Sequence, residues 1–270
     1  MYPYPIFLQI TLYDICLFVG VLVAYILADK LAVRCGFSLP LQRLFIVAIP
    51  IAIVVGFLGA TLFQSFYNFL KTGTFEFGGM TFYGGLIFGA IAFLAAWFLG
   101  GKYVLKTDEA KNKFGDVADI AACVVPLAHG IGRIGCFFAG CCHGAPTDAW
   151  YGVNMLLDGK WTKVVPVQLF EAAFLFALSA VLFILLFKLK IRRKEKDKAK
   201  DKRVPLLAVY GVVYGVWRFF IEYARADERG ATVIPFLSPS QLTAIILVAV
   251  SVVYFCIAYM KRKKQIDREV

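Results

Sequence analysis

Long apolar runs dominate this chain. Stretches of mostly apolar residues recur at roughly 11–28, 44–70, 82–100, 119–142, 167–189, 204–224 and 241–260. About 20 such residues, at ~1.5 Å of helical rise each, cross the ~30 Å hydrocarbon core of a bilayer. The pattern predicts an all-α polytopic membrane protein: seven transmembrane helices in a single integral domain over 1–270. Composition agrees, since 60% of the 270 residues are hydrophobic and the mean hydropathy is +0.74, more apolar than a soluble domain of this size. The first run has neither a basic leader nor a small-residue cleavage site after it, so it is expected to stay in the mature chain.

Charge then orients the spans. The net charge of +11 would suggest nucleic acid in a soluble protein, but in a membrane protein Lys and Arg sort by side. With the N-terminus outside, alternate loops collect 22 of the 29 Lys and Arg. These loops include the run "KLKIRRKEKDKAKDKR", a basic cytoplasmic loop over 188–203. The expected topology is N-terminus outside and C-terminus cytoplasmic, with an outer-side loop at 144–167. An anionic lipid surface is an open second role for the basic run; a nucleic-acid partner is not expected.

Helix rise converts position into depth. From entry near Asp119, Arg133 lies about 21 Å along the fourth span; from entry near Pro205, Arg218 lies about 20 Å and Glu222 about 26 Å along the sixth. The segment "FGGMTFYGG", Phe77 to Gly85, reaches the same outer level. Charges so deep are costly unless paired or wetted, which makes them functional candidates. Arg218 has an i,i+4 partner in Glu222, whereas Arg133 has no evident one. Two guanidiniums in an outward-facing cavity suit a phosphate, and the phosphate available at that depth belongs to a lipid headgroup.

Arg133 lies in "HGIGRIGCFFAGCCHG", His129 to Gly144, with both histidines and three of the seven cysteines. Its "GIGRIG" fits a dinucleotide fingerprint only without the strand and helix context that motif needs. The glycines, like Gly85/Gly89 and Gly211/Gly215, are expected to let helices approach closely. C-x4-C-C-H is not a standard zinc spacing, and adjacent Cys141 and Cys142 point in different directions on a helix. No metal site and no cofactor is therefore expected. A disulfide from Cys136 to Cys141 or Cys142, simple packing, and a catalytic thiol all stay open. His143, at the surface, is a candidate base, while His129 is expected to contact a neighbouring helix.

Several ordered segments carry a resemblance to a known family. "GIGRIGCFFAGCCHGAPTD" resembles the signature of the bacterial prolipoprotein diacylglyceryl transferases, G-R-x-G-N-F-x-N-x-E followed by a glycine and P-T-D. "LYDICLFVG" and "GGMTFYGGL" precede it in matching order, and "PVQLFEA" and "YGVWRFFIEYAR" follow it. The resemblance implies a seven-helix enzyme of the bacterial cytoplasmic (inner) membrane with its active site towards the outer leaflet. Such an enzyme moves diacylglyceryl from phosphatidylglycerol to the lipobox cysteine thiol in a preprolipoprotein signal peptide, releasing glycerol phosphate.

Residue by residue, the resemblance places Arg133 on the signature arginine, Gly144 on its closing glycine, Tyr13 on the tyrosine of the first helix, and Arg218 and Glu222 on the pair of the sixth. Arg133, Arg218, Gly144 and Tyr13 are thereby implied in phospholipid binding. Arg133, Arg218, Glu222, Tyr83, His143 and Cys141 are the catalytic candidates. The chain departs from the pattern at Asp14, at Tyr83 in place of a histidine, at Cys136 in place of an asparagine and at Cys141 in place of an acid. Two further readings follow: transfer to another acceptor, with a covalent intermediate on Cys136, Cys141 or Cys142, and a lipid-binding or transport protein without chemistry.

Overall fold

All seven apolar runs are helical in the computed structural model, which describes residues 4–73, 79–157, 159–191, 204–226 and 236–269. The helices are α1 Leu12–Arg34, α2 Leu39–Thr72, α3 Phe82–Leu99, the short α4 Glu109–Asn112, α5 Phe114–Ala139, α6 Val167–Leu186, α7 Leu206–Ile221 and α8 Pro239–Glu269. Seven of them, all but α4, are long and apolar enough to cross a membrane. α3 and α6 run on into π-helical turns, Gly100–Val104 and Phe187–Ile191. The chain divides into two units, residues 29–117 and residues 1–28 with 118–270, the division falling within α1 and α5.

In the 29–117 unit, α2 starts earlier than its apolar run because Ser38 caps it, accepting from Leu41 N at 3.4 Å with Pro40 in the first turn. Both the Ser38 hydroxyl and its amide donate to Glu109, at 2.6 and 3.1 Å. α2 and α3 meet backbone to backbone. A Cβ on Gly56 would stand 3.0 Å from Gly85 O, and one on Gly89 3.1 Å from Ala52 O, the close approach expected of the Gly85/Gly89 pair. At the other end Phe37, Phe45 and Phe93 surround buried Trp97, whose indole donates to Ala110 O at 2.9 Å.

The larger unit is held the same way. α1 lies on α5, where a Cβ on Gly20 would come 3.0 Å from Ala128 O and one on Gly135 3.0 Å from Cys16 Cβ. Gly130 abuts the Phe176 ring of α6, and Gly215 of α7 abuts Val248 and the Ala244 carbonyl of α8. Two buried polar links fix the far ends: Asp119 accepts from Leu206 N at 2.8 Å, and the Ser179 hydroxyl donates to Cys123 O at 2.8 Å.

Two expectations change. The fourth apolar run does not stay helical to residue 142; α5 ends at Ala139, because Gly140 takes a left-handed φ of +72°, the usual helix-terminating geometry. The 144–167 segment is more than a loop. It holds an antiparallel hairpin, β1 Val153–Leu157 and β2 Lys160–Val164, paired from Val153↔Val164 to Leu157↔Lys160, with Met155 and Val164 fully buried. Of the basic run 188–203, residues 192–203 lie outside the described residues.

Candidate active site

The ends of α5, α6 and α7 bring five ionised side chains together. Arg133 lies about 9 Å before the last residue of α5, and Arg218 about 4.5 Å before the last of α7. α7 then tightens into a 3₁₀ turn, Glu222–Ala224, which ends at Arg225. Glu171, one turn into α6, is wholly buried. Its Oε2 lies 3.0 Å from Arg133 Nε and 3.8 Å from Arg225 Nη1, while Oε1 accepts from the Tyr214 hydroxyl at 3.1 Å. Glu222 Oε2 lies 2.8 Å from Arg218 Nη1 and 3.8 Å from Arg225 Nε.

The segment entering α8 closes the set. Ser240 accepts from Arg218 Nη2 at 2.7 Å, and the Ser238 hydroxyl donates to Glu222 Oε1 at 2.7 Å. Three guanidiniums thus surround two carboxylates, and the cluster keeps one net positive charge. Glu171 meets Arg133 at Nε, 3.0 Å from Oε2. A guanidinium carries five donors in a planar fork and can take two oxygens of a further anion as well.

Of the sequence-derived candidates, Arg133, Arg218 and Glu222 come together here. The expected i,i+4 pair forms, but Arg133 is not unpartnered; its partner, Glu171, sits on another helix. His129 packs edge-on to Tyr214, ring centroids 5.4 Å apart, as expected of a contact between helices. His143 turns away into its own turn, with Nδ1 3.0 Å from Gly144 O. Tyr13 lies beside Gly135, where a Cβ would come 3.2 Å from its ring. The side chain of Tyr83 lies outside the described residues.

Gly144 is a joint between segments. It donates to Val165 O at 2.9 Å and bridges Arg225, and a Cβ there would stand 2.7 Å from Ala224 O, Val165 and Val167 alike. The sequence reading missed Glu171 and Arg225. Glu171 had a signal: it is the one acidic residue in the fifth apolar run, and the rule that singled out Arg133 applies to it equally.

The thiols also converge. Since the helix stops at Ala139, Cys141 and Cys142 are free of helical directions, and their sulfurs lie with that of Cys136 all within 4.8 Å of one another. Among the described residues no two cysteines are joined in a disulfide. The Cys142 thiol is pulled below its ordinary value, first by hydrogen bonds from Cys136 and Cys141 and then by the Arg225 guanidinium. Proton sharing with Cys136 and Cys142 pushes Cys141 up.

Helices and site together define a polytopic membrane protein that carries a buried, net positive arginine–glutamate cluster beside the ends of three spans. The model of the prolipoprotein diacylglyceryl transferase family matches residues 4–257, and the chain belongs to that family. A phosphatidylglycerol–prolipoprotein diacylglyceryl transferase (the second) of Clostridium perfringens is 32% identical over 188 residues, 67% of this chain and 65% of that protein. The transferases of that name from Clostridium tetani and Methylococcus capsulatus are each 30% identical, over 95% and 94% of this chain and 96% and 93% of theirs. The family resemblance read from the motifs holds, and the chain is a membrane transferase of lipoprotein biogenesis.

Proposed function

We propose that this protein takes diacylglyceryl from phosphatidylglycerol, at the outer leaflet of the bacterial cytoplasmic membrane, and attaches it to the lipobox cysteine thiol of a prolipoprotein. The observation that carries the reading is the net positive cluster, three guanidiniums against two carboxylates. A charge balance of that sign, close to the helix ends, suits the phosphodiester of a lipid.

The acceptor sulfur attacks a glycerol carbon, the carbon–oxygen bond breaks, and glycerol phosphate leaves with the electron pair. Arg133 and Arg218 bind the phosphate and meet the charge that develops on the leaving oxygen. Loss of one such group typically lowers the rate ~10²–10³-fold. Glu222 is fully engaged, Oε1 by Ser238 and Oε2 by two guanidiniums, so its part is to hold the arginines. Glu171 does the same for Arg133 and Arg225. An N-outside, C-cytoplasmic topology with one integral domain puts this site on the outer side, where the prolipoprotein cysteine emerges, and no nucleic acid takes part.

The test is a purified-protein assay with phosphatidylglycerol vesicles and a synthetic lipobox peptide, read by mass spectrometry for the thioether and by glycerol phosphate release. Wild type is expected to give both products and Arg133→Ala neither. Folded wild type that makes no thioether peptide would sink the proposal. If Cys141→Ala keeps full activity, a covalent intermediate on that thiol is removed and the direct transfer stands.

A further inference from the structure

The three-cysteine turn borders the arginine cluster, with Arg225 against Cys142, and its construction is specific. Gly140 and then Cys142 take left-handed backbone, φ +72° and +63°, a conformation only a few per cent of non-glycine residues adopt. Backbone bonds on every side hold that turn: Cys141 N to Cys136 O at 3.2 Å, Gly144 N to Val165 O at 2.9 Å, Ala145 N to Ala224 O at 3.1 Å. Buried Gln168 of α6 donates to Cys141 O at 2.6 Å. The product is three sulfurs within 4.8 Å of one another, two of them from adjacent residues that a helix would have pointed apart.

We propose that Cys136, Cys141 and Cys142 form a three-thiolate site for a thiophilic, redox-inert divalent cation of the zinc class, whose fourth position receives the acceptor thiol. Zinc–sulfur bonds of ~2.3 Å at tetrahedral angles set sulfurs about 3.8 Å apart, a small inward movement from the spacing seen. Three protein ligands with a fourth position left for substrate is the pattern of catalytic zinc rather than structural zinc. His143 is not among the side chains whose ligand atoms lie within 4.8 Å of one another, so the cluster offers sulfur alone. Three thiolates and a divalent ion carry one net negative charge, which Arg225, hydrogen-bonded to Cys142, offsets from the second shell.

The chemistry rests on the transfer reaction proposed above. A thiol has an ordinary pKa of ~8.5, and coordination deprotonates it outright. The incoming S–H gives its proton to water at the exposed Cys141 side of the turn, and the metal-held thiolate attacks the glycerol carbon. The carbon–sulfur bond forms as the carbon–oxygen bond breaks, and the electron pair leaves on phosphate beside Arg133. The neutral thioether is a poor ligand and departs, and the metal keeps its oxidation state throughout. The departures from the family pattern at Cys136 and Cys141 thereby become a way of generating the nucleophile.

The experiment uses the full-length protein purified in detergent, with zinc and cobalt(II) as probes. Expected are one zinc per chain by elemental analysis and, with cobalt, the intense near-ultraviolet absorption of thiolate-to-metal charge transfer. Cys136→Ser, Cys141→Ser and Cys142→Ser are each expected to lose both signals. Wild type without the charge-transfer band, metal retained in the triple-serine protein, or a thiol count two short from a disulfide would each overturn the site, whether or not the serine variants fold. Thioether formation is assayed on the same samples. Zinc bound by the three thiols without any thioether product sinks the transfer reading, whereas equal rates with and without zinc sink the fourth-position role and leave the transfer reading intact.

Discussion

Glu171 does more to define the cluster than any residue singled out by depth. It is wholly buried, and its two oxygens serve Arg133, Arg225 and Tyr214. Glu171→Gln keeps its volume and its bond to the tyrosine while removing the charge, which leaves two guanidiniums short of their counter-ion. Breaking a buried pair from one side typically costs about 3–5 kcal/mol, so the variant is expected to unfold at a clearly lower temperature in detergent and to lose transfer activity. Arg133→Lys tests the fork itself. Lysine keeps the charge but presents a single point in place of a planar pair of donors. Transfer rate is expected to fall by ~10²-fold or more while thermal stability drops less than in Glu171→Gln; a lysine variant at wild-type rate would show that charge alone suffices.

The segments that join the helices position these side chains. Cutting α5 at Ala139 frees the cysteines, and the hairpin strand β2 leads through Val165 to the joint at Gly144 and Ala224. Gly144→Ala would drive a methyl to 2.7 Å from a carbonyl oxygen and two side chains, and overpacking of this kind costs about 1–3 kcal/mol. The expected result is a lowered unfolding midpoint together with reduced activity, because the same displacement moves Arg225. Gly215→Leu is a control at a purely packing contact: its Cβ would press on Val248 and Ala244 O, so stability should fall in step with activity. If Gly144→Ala left both properties unchanged, the joint would not be what sets the arginine cluster.

For the molecule as a whole the open prediction is sidedness. The Lys and Arg distribution, 22 of 29 on one set of alternate loops, predicts a cytoplasmic C-terminus by the positive-inside bias. A fluorescent protein fused after Val270 should fluoresce, and a phosphatase that needs an oxidising compartment should be silent there; the opposite pair of results would invert the topology.

The seven spans, their order and the family are legible in the sequence, because apolar runs and ordered motifs are local signals and a bilayer leaves the backbone few options. Arg133, Arg218 and Glu222 were legible too, since a charge in an apolar run stands out. What only the tertiary structure decided is which charges meet. Glu171 finds Arg133 and Arg225 across three helices, and three thiols within a seven-residue stretch share one space because the helix stops between them. Such pairings depend on helix rotation and on where each helix ends. Both are set by packing of glycines and caps from distant parts of the chain, which no single stretch of sequence contains.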